Sequence, residues 1–171
     1  MPRNVEIKAR AADPGRLRAL ALALADGPPV VIEQTDTFFA AGSGRLKLRV
    51  FTDGAGELIN YDRPDAAGPK TSRYGIAPVA DGAAMLAVLS AALPVRGIVR
   101  KRRELLLCGR TRIHLDRVEG LGDFLELEVV LAEDENLAAG EAEAQELMAR
   151  LGIAPGDLVT GAYVDLLGGA A

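Results

Sequence analysis

The sequence predicts an α+β fold in which a large antiparallel sheet is accompanied by a few helices. Eight segments alternate between apolar and polar residues with the period of two that is typical of strands. Turn-forming residues, such as those of Asp53-Gly54-Ala55-Gly56 and Gly120-Leu121-Gly122, separate many of these segments. Connections this short make neighbouring strands antiparallel, because a parallel crossover needs about a dozen residues or more.

The predicted strands each have one apolar face and one ionic face. They lie near residues 3–10, 30–39, 44–51, 56–63, 71–77, 95–107, 110–118 and 122–132. In the strand at 44–51, for example, Leu46 and Leu48 alternate with Arg45, Lys47 and Arg49. The strands at 3–10, 110–118 and 122–132 follow the same pattern, so each strand has an apolar face for packing.

Three helices are predicted from start signals and apolar stripes. Asp13-Pro14 opens the first, Asp81 opens the second, and the third runs from about Ala139 to Leu151, where Gly152 is placed to end it. The stripes consist of Leu17, Leu20, Ala21 and Leu24 in the first helix, Met85, Leu86, Leu89 and Leu93 in the second, and Leu147, Met148 and Leu151 in the third. Residues from Pro155 onward predict one or two further short helices.

Residues of the same charge recur at neighbouring positions on the ionic faces. An open sheet does not explain this recurrence well. Three such pairs are Lys47 with Arg49, Lys101 with Arg103, and Glu126 with Glu128. Side chains two residues apart on one face stand roughly 6–7 Å from each other, so these pairs repel unless an opposite charge lies between them. Eight strands are enough to close a barrel. A barrel with its ionic face inward would form a tunnel with helices outside, whereas an open sheet would leave that face in water.

Composition limits the classes of protein and of site. The 171 residues, 49% hydrophobic and 26% charged, predict one globular domain over residues 1–171. Charged residues occupy the start of the chain, and the longest uncharged run, fourteen residues from Gly82 to Val95, is too short for a membrane-spanning helix of roughly 20 residues. We therefore expect a cytoplasmic protein without membrane contact.

The single histidine and single cysteine exclude multi-His and multi-Cys metal sites, so a metal would be held mainly by oxygen.

Several segments, in order along the chain, resemble one known family. Asn4-Val5-Glu6-Ile7-Lys8 is similar to the Glu-x-Glu-x-Lys signature of the CYTH domain, or triphosphate tunnel metalloenzyme, family, which includes class IV adenylyl cyclases and thiamine triphosphatases. Further matching segments are 34–39, 45–49, 57–64, 101–103 and 112–128. The resemblance implies an eight-stranded antiparallel tunnel that binds a triphosphate-type substrate with Mg²⁺ or Mn²⁺.

The resemblance also assigns roles to individual residues. The residues implied as metal ligands are Glu6, Asp116, Glu126 and Glu128. The residues implied as phosphate ligands are Lys8, Lys47, Arg49, Arg63, Lys101, Arg103 and Arg112. The catalytic group implied is Glu6, Lys8, Glu126 and Glu128. The chain departs from the signature at Asn4, where the family has an acid, and an amide oxygen without charge predicts that a second metal ion is held weakly.

Three functions are compatible with these residues. We expect a metal-dependent triphosphatase acting on inorganic or organic triphosphate, because charge neutralisation and positioning are the main needs of phosphoryl transfer. A class IV adenylyl cyclase, which converts ATP to cyclic AMP and pyrophosphate, is the alternative. A non-catalytic polyphosphate-binding module is the second alternative, suggested by Asn4. The net charge of −4 and the 4% aromatic content argue against extended contact with nucleic acid, and the sequence leaves a homodimer open.

Overall fold

The computed structural model describes residues 2–168 and contains a closed barrel of eight antiparallel strands. The strands are β1 (Arg3–Arg10), β2 (Val30–Phe39), β3 (Arg45–Phe51), β4 (Gly56–Asp62), β5 (Lys70–Val79), β6 (Val95–Cys108), β7 (Thr111–Val118) and β8 (Gly122–Leu131). Around the barrel their order is β1-β5-β4-β3-β2-β6-β7-β8, and β1 closes the ring by pairing with both β5 and β8. The predicted α+β class and the barrel are confirmed.

The strand ends differ from the predicted ends by one or two residues. The largest difference is in β5, which was expected over 71–77 and runs from Lys70 to Val79. It continues because its pairing with β4 extends to the register position where Val79 lies opposite Gly56. This strand therefore ends where its pairing with β4 ends. The residues of β5 alone do not indicate that position.

The two faces of the strands separate as the alternation predicts. Leu48 is fully buried outside the barrel in a cluster with Leu46 and with the apolar stripe of the second helix. Leu125 and Leu127 are fully buried among residues of the first and third helices. The charged residues between them face the interior of the barrel. Two of the apolar clusters thus lie between the barrel and its helices, and the charged side chains of these strands face the interior.

Four helices pack outside the barrel, namely α1 (Pro14–Leu24), α2 (Gly82–Ala92), α3 (Leu137–Leu151) and α4 (Tyr163–Gly168). The side chains of Asp13 and Asp81 cap the first two helices, as predicted. The third helix begins two residues before its predicted start because the side chain of Asn136 accepts a hydrogen bond from the backbone of Ala138. Gly152 ends this helix in the left-handed conformation with φ of 69°. Over residues 2–168, no helix has the length and apolar character needed to cross a bilayer.

The segment after α3 closes one end of the barrel. A short 3₁₀ turn, Pro155–Asp157, leads to Val159, whose backbone N–H donates to Lys8 O at 2.9 Å. Val159 and Tyr163 then form a buried cluster with four residues whose side chains face the barrel interior, namely Phe38, Val99, Val118 and Phe124. The ring of Tyr163 meets that of Phe124 edge to face, with centroids 5.0 Å apart. This packing makes α4 the floor of the tunnel.

Candidate active site

The interior of the barrel is a cavity of about 290 Å³ lined by side chains from all eight strands, and every strand except β5 contributes a charged one. Among residues 2–168, seven basic side chains and five carboxylates line it, an excess of two positive charges. The basic side chains are Lys8, Lys47, Arg49, Arg63, Lys101, Arg103 and Arg112. The carboxylates are those of Glu6, Asp36, Glu57, Glu126 and Glu128. The structure therefore brings together every residue that the sequence assigns to phosphate and three of the four assigned to metal.

Asp36 on β2 is buried in the tunnel wall and holds two of these cations. Its carboxylate accepts hydrogen bonds from Lys47 Nζ at 2.8 Å and Arg49 Nε at 2.9 Å, and Gln34 Nε2 donates to it at 3.2 Å. Burial alone would raise the pKa of Asp36, but Lys47 and Arg49 outweigh it and hold that pKa well below its ordinary value. Burial lowers the pKa of Lys47 to about 8, although Asp36 opposes this shift.

Asp116 on β7 holds a second pair of cations in the same way. It accepts two hydrogen bonds of 2.6 Å from Arg103, one of 3.1 Å from Lys101 Nζ, and one of 3.1 Å from the hydroxyl of Tyr163. Burial would raise the pKa of Asp116, yet Arg103 and Lys101 lower it. These partners occupy its carboxylate, and Asp116 lies outside the metal-binding cluster described below. In this structure Asp116 contacts two cations and a tyrosine hydroxyl, and its role as a metal ligand stays a prediction.

The two glutamates of β8 face the cavity side by side. Glu126 accepts a hydrogen bond of 2.6 Å from Arg103 Nη2, and its other oxygen lies 3.2 Å from Lys8 Nζ. Glu128 Oε2 lies 2.9 Å from Arg112 Nε. Burial alone would raise the pKa of both carboxyl groups, but neighbouring positive charges outweigh it, and both pKa values lie below the ordinary value. Both glutamates therefore favour the ionised form, in which a divalent cation would compete with Arg103, Lys8 and Arg112 for their oxygens.

Glu6 on β1 differs from the glutamates of β8. Burial and the charge of Glu128 raise the pKa of Glu6, against the opposing effect of Arg63, whose Nη1 lies 3.5 Å from Glu6 Oε2. Arg63 Nη2 also donates to Gly161 O at 3.0 Å, and Lys8 Nζ donates to the same carbonyl at 3.1 Å. The segment that forms the tunnel floor thus orients two predicted phosphate ligands.

The donor atoms near Glu126 and Glu128 fit a divalent cation. Together with His114, these glutamates offer three ligand atoms that lie within 4.8 Å of one another. His114 Nδ1 and Asn4 Oδ1 both belong to tunnel-lining residues and are buried without a hydrogen-bond partner among the described residues. Burial and then Arg103 lower the pKa of His114, which leaves its imidazole neutral. Two carboxylates and nearby neutral donors are a suitable set for Mg²⁺ or Mn²⁺.

Sequence reasoning did not assign Asp36, His114 or Tyr163 to the site. His114 lies on a strand whose ionic face was recognised, and its alternation with Arg112 and Asp116 is the signal that could have identified it. Of the described residues on the inward face of β2, Asp36 is the one that is charged, and it alternates with Gln34 and Phe38, so that strand carries a weaker signal. Tyr163 carries no such signal, because its position depends on how the last helix docks against the barrel.

Comparison with known proteins agrees with this architecture. The family model of the CYTH domain matches residues 2–163. Comparison with curated proteins finds no match. Among solved structures, the PH1012 protein of Pyrococcus horikoshii OT3 is 23% identical, with a TM-score of 0.83 over 95% of this chain and 98% of that one.

Two other solved structures carry descriptions of activity. An adenylate cyclase candidate from Vibrio parahaemolyticus is 18% identical, with a TM-score of 0.82 over 97% of this chain and 98% of that one. HpAC1 from Hippeastrum, for which a dominant triphosphatase activity is described, is 17% identical, with a TM-score of 0.62 over 88% of each chain. At these identities the likeness establishes a shared fold.

Proposed function

The chain belongs to the CYTH domain family, and on that basis we propose that it is a divalent-metal-dependent hydrolase of triphosphate-type substrates. One observation carries the proposal: seven basic side chains and the carboxylates of Glu126 and Glu128 line a single cavity closed at one end. A linear polyphosphate needs many cations along its length and a metal at one position, and this cavity offers both.

The basic residues would bind and orient the phosphates from several sides. Lys47 and Arg49 lie on β3, Lys101 and Arg103 on β6, and Arg112 on β7, so a chain of phosphates between these strands meets cations in more than one direction. Arginine forms paired hydrogen bonds to phosphate oxygens, which fixes orientation as well as charge. A substrate held in this way has one terminal phosphate aligned for attack by water.

The glutamates of β8 and His114 would hold the metal. A divalent ion bound there would neutralise phosphate charge and make the terminal phosphorus a better target for water. Lys8, which lies 3.2 Å from Glu126, would remain beside the reacting phosphate and stabilise the charge that develops on it. The floor formed by Tyr163 excludes bulk water from that end of the tunnel, which strengthens these electrostatic contacts.

A product assay tests this proposal. Inorganic triphosphate, thiamine triphosphate and ATP are each supplied with Mg²⁺ or Mn²⁺, and phosphate is separated from pyrophosphate and cyclic AMP. We expect phosphate release from at least one substrate. Glu126→Gln keeps the size of the side chain but removes its charge, so turnover should fall by at least about 100-fold.

Glu119→Gln is the matched control, because the same chemical change is made on a side chain that is 72% exposed and outside the tunnel. Its turnover should equal that of the unaltered protein. Tight binding of a triphosphate without any product, unchanged in Glu126→Gln, would contradict the proposal and favour the binding module.

A class IV adenylyl cyclase is the second candidate, and one feature of the cavity favours it. Four apolar side chains, those of Ile32, Phe51, Ile76 and Leu105, also line the cavity and are partly exposed to solvent. Such a surface could accept the base of a nucleotide whose phosphates lie among the cations. Release of pyrophosphate and cyclic AMP from ATP in the same assay would support cyclisation over hydrolysis.

A further inference from the structure

We propose that His114 is a nitrogen ligand of the divalent ion, together with Glu126 and Glu128, and that the site therefore prefers Mn²⁺ to Mg²⁺. The inference rests on the proposed function only in requiring that the tunnel binds a divalent ion. It differs from the set expected from sequence, which consisted of carboxylates alone.

The sheet register brings the three side chains together. His114 on β7 lies opposite Glu126 on β8, and Glu128 is the next inward-facing residue along that strand. His114 Nδ1 lies 3.9 Å from Glu126 Oε2 and 3.8 Å from Glu128 Oε1. These separations are too long for hydrogen bonds. Two ligands that each lie about 2.1 Å from one ion are at most about 4.2 Å apart, so His114 and either glutamate already stand at a spacing that one ion can bridge. All three ligand atoms lie within 4.8 Å of one another, so at most a small side-chain adjustment brings the third to the same ion.

The imidazole is also buried without a partner for Nδ1. Its side chain is only 5% exposed, and Nδ1 has no hydrogen-bond partner among the described residues. A buried polar atom in this state costs free energy, so native structures supply it with a partner. Because Nδ1 lies 3.9 Å and 3.8 Å from oxygens of two carboxylates, a cation between the three groups would provide that partner.

The two other predicted metal ligands, Glu6 and Asp116, lie outside this cluster of three ligand atoms. Glu6 Oε2 lies 3.5 Å from Arg63 Nη1, and Asp116 accepts hydrogen bonds from Arg103, Lys101 and Tyr163. Asn4, at the position where the family has an acid, brings no charge. His114 therefore supplies the third donor atom beside the two glutamates of β8.

A site with one nitrogen and two carboxylates discriminates between metals. Mg²⁺ binds oxygen ligands almost exclusively and keeps several waters, whereas divalent transition metals accept imidazole as well as carboxylate. Mn²⁺ should therefore bind more tightly than Mg²⁺. Replacing His114 should reduce this preference, because the remaining ligands are oxygens.

Pulsed electron paramagnetic resonance of bound Mn²⁺ tests the assignment directly. His114 is the only histidine in the sequence, so in a protein without a histidine tag an imidazole ¹⁴N modulation can come from no other histidine. We expect this modulation in the Mn²⁺-loaded protein and its replacement by the ¹⁵N pattern after labelling with ¹⁵N-histidine. The labelling leaves the fold intact, so the test does not depend on a variant.

Substitution and calorimetry provide the second measurement. His114→Gln should abolish the modulation and weaken Mn²⁺ binding by about tenfold or more, with a smaller effect on Mg²⁺. Gln34→Met is the control, since Gln34 lines the same cavity but contacts Asp36 on β2. It should retain the modulation.

The outcomes separate this inference from the proposed function. Bound Mn²⁺ without imidazole modulation, in a protein that still hydrolyses triphosphate, would overturn the ligand assignment alone. Modulation without turnover would support the ligand and overturn the hydrolase. A protein that binds no Mn²⁺ at millimolar concentration would overturn both. Equal losses of Mn²⁺ and Mg²⁺ affinity in His114→Gln would contradict the metal preference.

Discussion

Asp36 occupies the place among the cations that a phosphate oxygen would take. Its carboxylate contacts both Lys47 and Arg49, and it is only 2% exposed. Without such a counter-ion, two buried positive charges on neighbouring positions of one strand face would repel each other strongly. Asp36 therefore holds Lys47 and Arg49 in place in the ligand-free barrel, and under the proposed function a phosphate would share these two cations with it.

The pKa of Lys47 makes anion binding depend on pH. Because burial lowers this pKa to about 8 from an ordinary value of 10.5, the amine loses its charge as pH rises above about 8. Affinity for sulfate, whose own charge is constant over this range, should fall by about tenfold between roughly pH 7.5 and 9.5, the effect of losing one charged hydrogen bond. Sulfate titrations by calorimetry measure this fall.

Lys47→Arg is the control for this prediction, because a guanidinium stays protonated throughout the range. Its sulfate affinity should change less with pH. Lys70 also has a pKa lowered to about 8, mainly by burial, but its amine donates to Ala66 O and it is not among the residues that line the cavity. An equal pH dependence in Lys47→Arg would therefore assign the effect to a group other than Lys47.

At the scale of secondary-structure elements, helix α3 depends on one small residue where it crosses β1 and β8. A Cβ added at Gly140 would lie 2.6 Å from Leu131 Cδ2 and 2.9 Å from Val5 Cγ2. Gly140→Ala should raise helix propensity by about 1 kcal/mol but cost about 1–3 kcal/mol through overpacking. Since Val5 is fully buried and β-branched, we expect a net loss of stability and a lower urea midpoint.

Gly15→Ala in α1 is the matched control for Gly140→Ala. Its new Cβ would have only the Asp13 side chain within 4 Å, with Oδ1 at 3.6 Å, so the urea midpoint should stay the same or rise. If both alanine variants raise the midpoint, the close approach between α3 and the sheet does not limit stability.

The sequence indicates which side chains share a face but not which of them meet across strands. The alternation in β3 and β8 correctly separates Lys47 and Glu126 from their apolar neighbours, because side chains of a strand alternate strictly. The contact of His114 with Glu126 depends on the register of β7 and β8. A shift of two residues would preserve both alternations and place a different residue opposite His114, so no local pattern predicts this pair.

The same limit applies to Asp116, whose partners come from other elements. Its position two residues after His114 predicts that it faces inward, as observed. Its hydrogen bond with Tyr163 depends on the docking of α4, which follows a 3₁₀ turn whose path the sequence pattern does not describe. The resemblance assigns this acid to the metal, which stays a prediction, whereas the structure shows which side chains it contacts.

For the molecule as a whole, positively charged side chains are concentrated inside the closed barrel. The seven lining cations exceed the five lining carboxylates and the inward-facing Asp116 together. Burial first, and neighbouring cations such as Lys101 in addition, lower the pKa of Lys8 and of Lys47. Because charges interact more strongly where water is excluded, a polyanion in this cavity relieves repulsion that the ligand-free barrel retains. Substrate binding should therefore be coupled to the stability of the whole barrel.

Thermal unfolding of the ligand-free and ligand-bound protein measures this coupling. Triphosphate with Mn²⁺ at about 100 times its dissociation constant adds roughly 2.7 kcal/mol, which for a chain of this size raises the Tm by about 5–11 °C. Lys101→Met should lose most of this rise, while its ligand-free Tm should equal or exceed that of the unaltered protein, since Asp116 keeps its hydrogen bonds with Arg103 and repulsion decreases. Arg102→Met, on the outer face of the same strand and 47% exposed, should keep the full rise. Equal ligand shifts in both variants would contradict the prediction that Lys101 contributes to triphosphate binding.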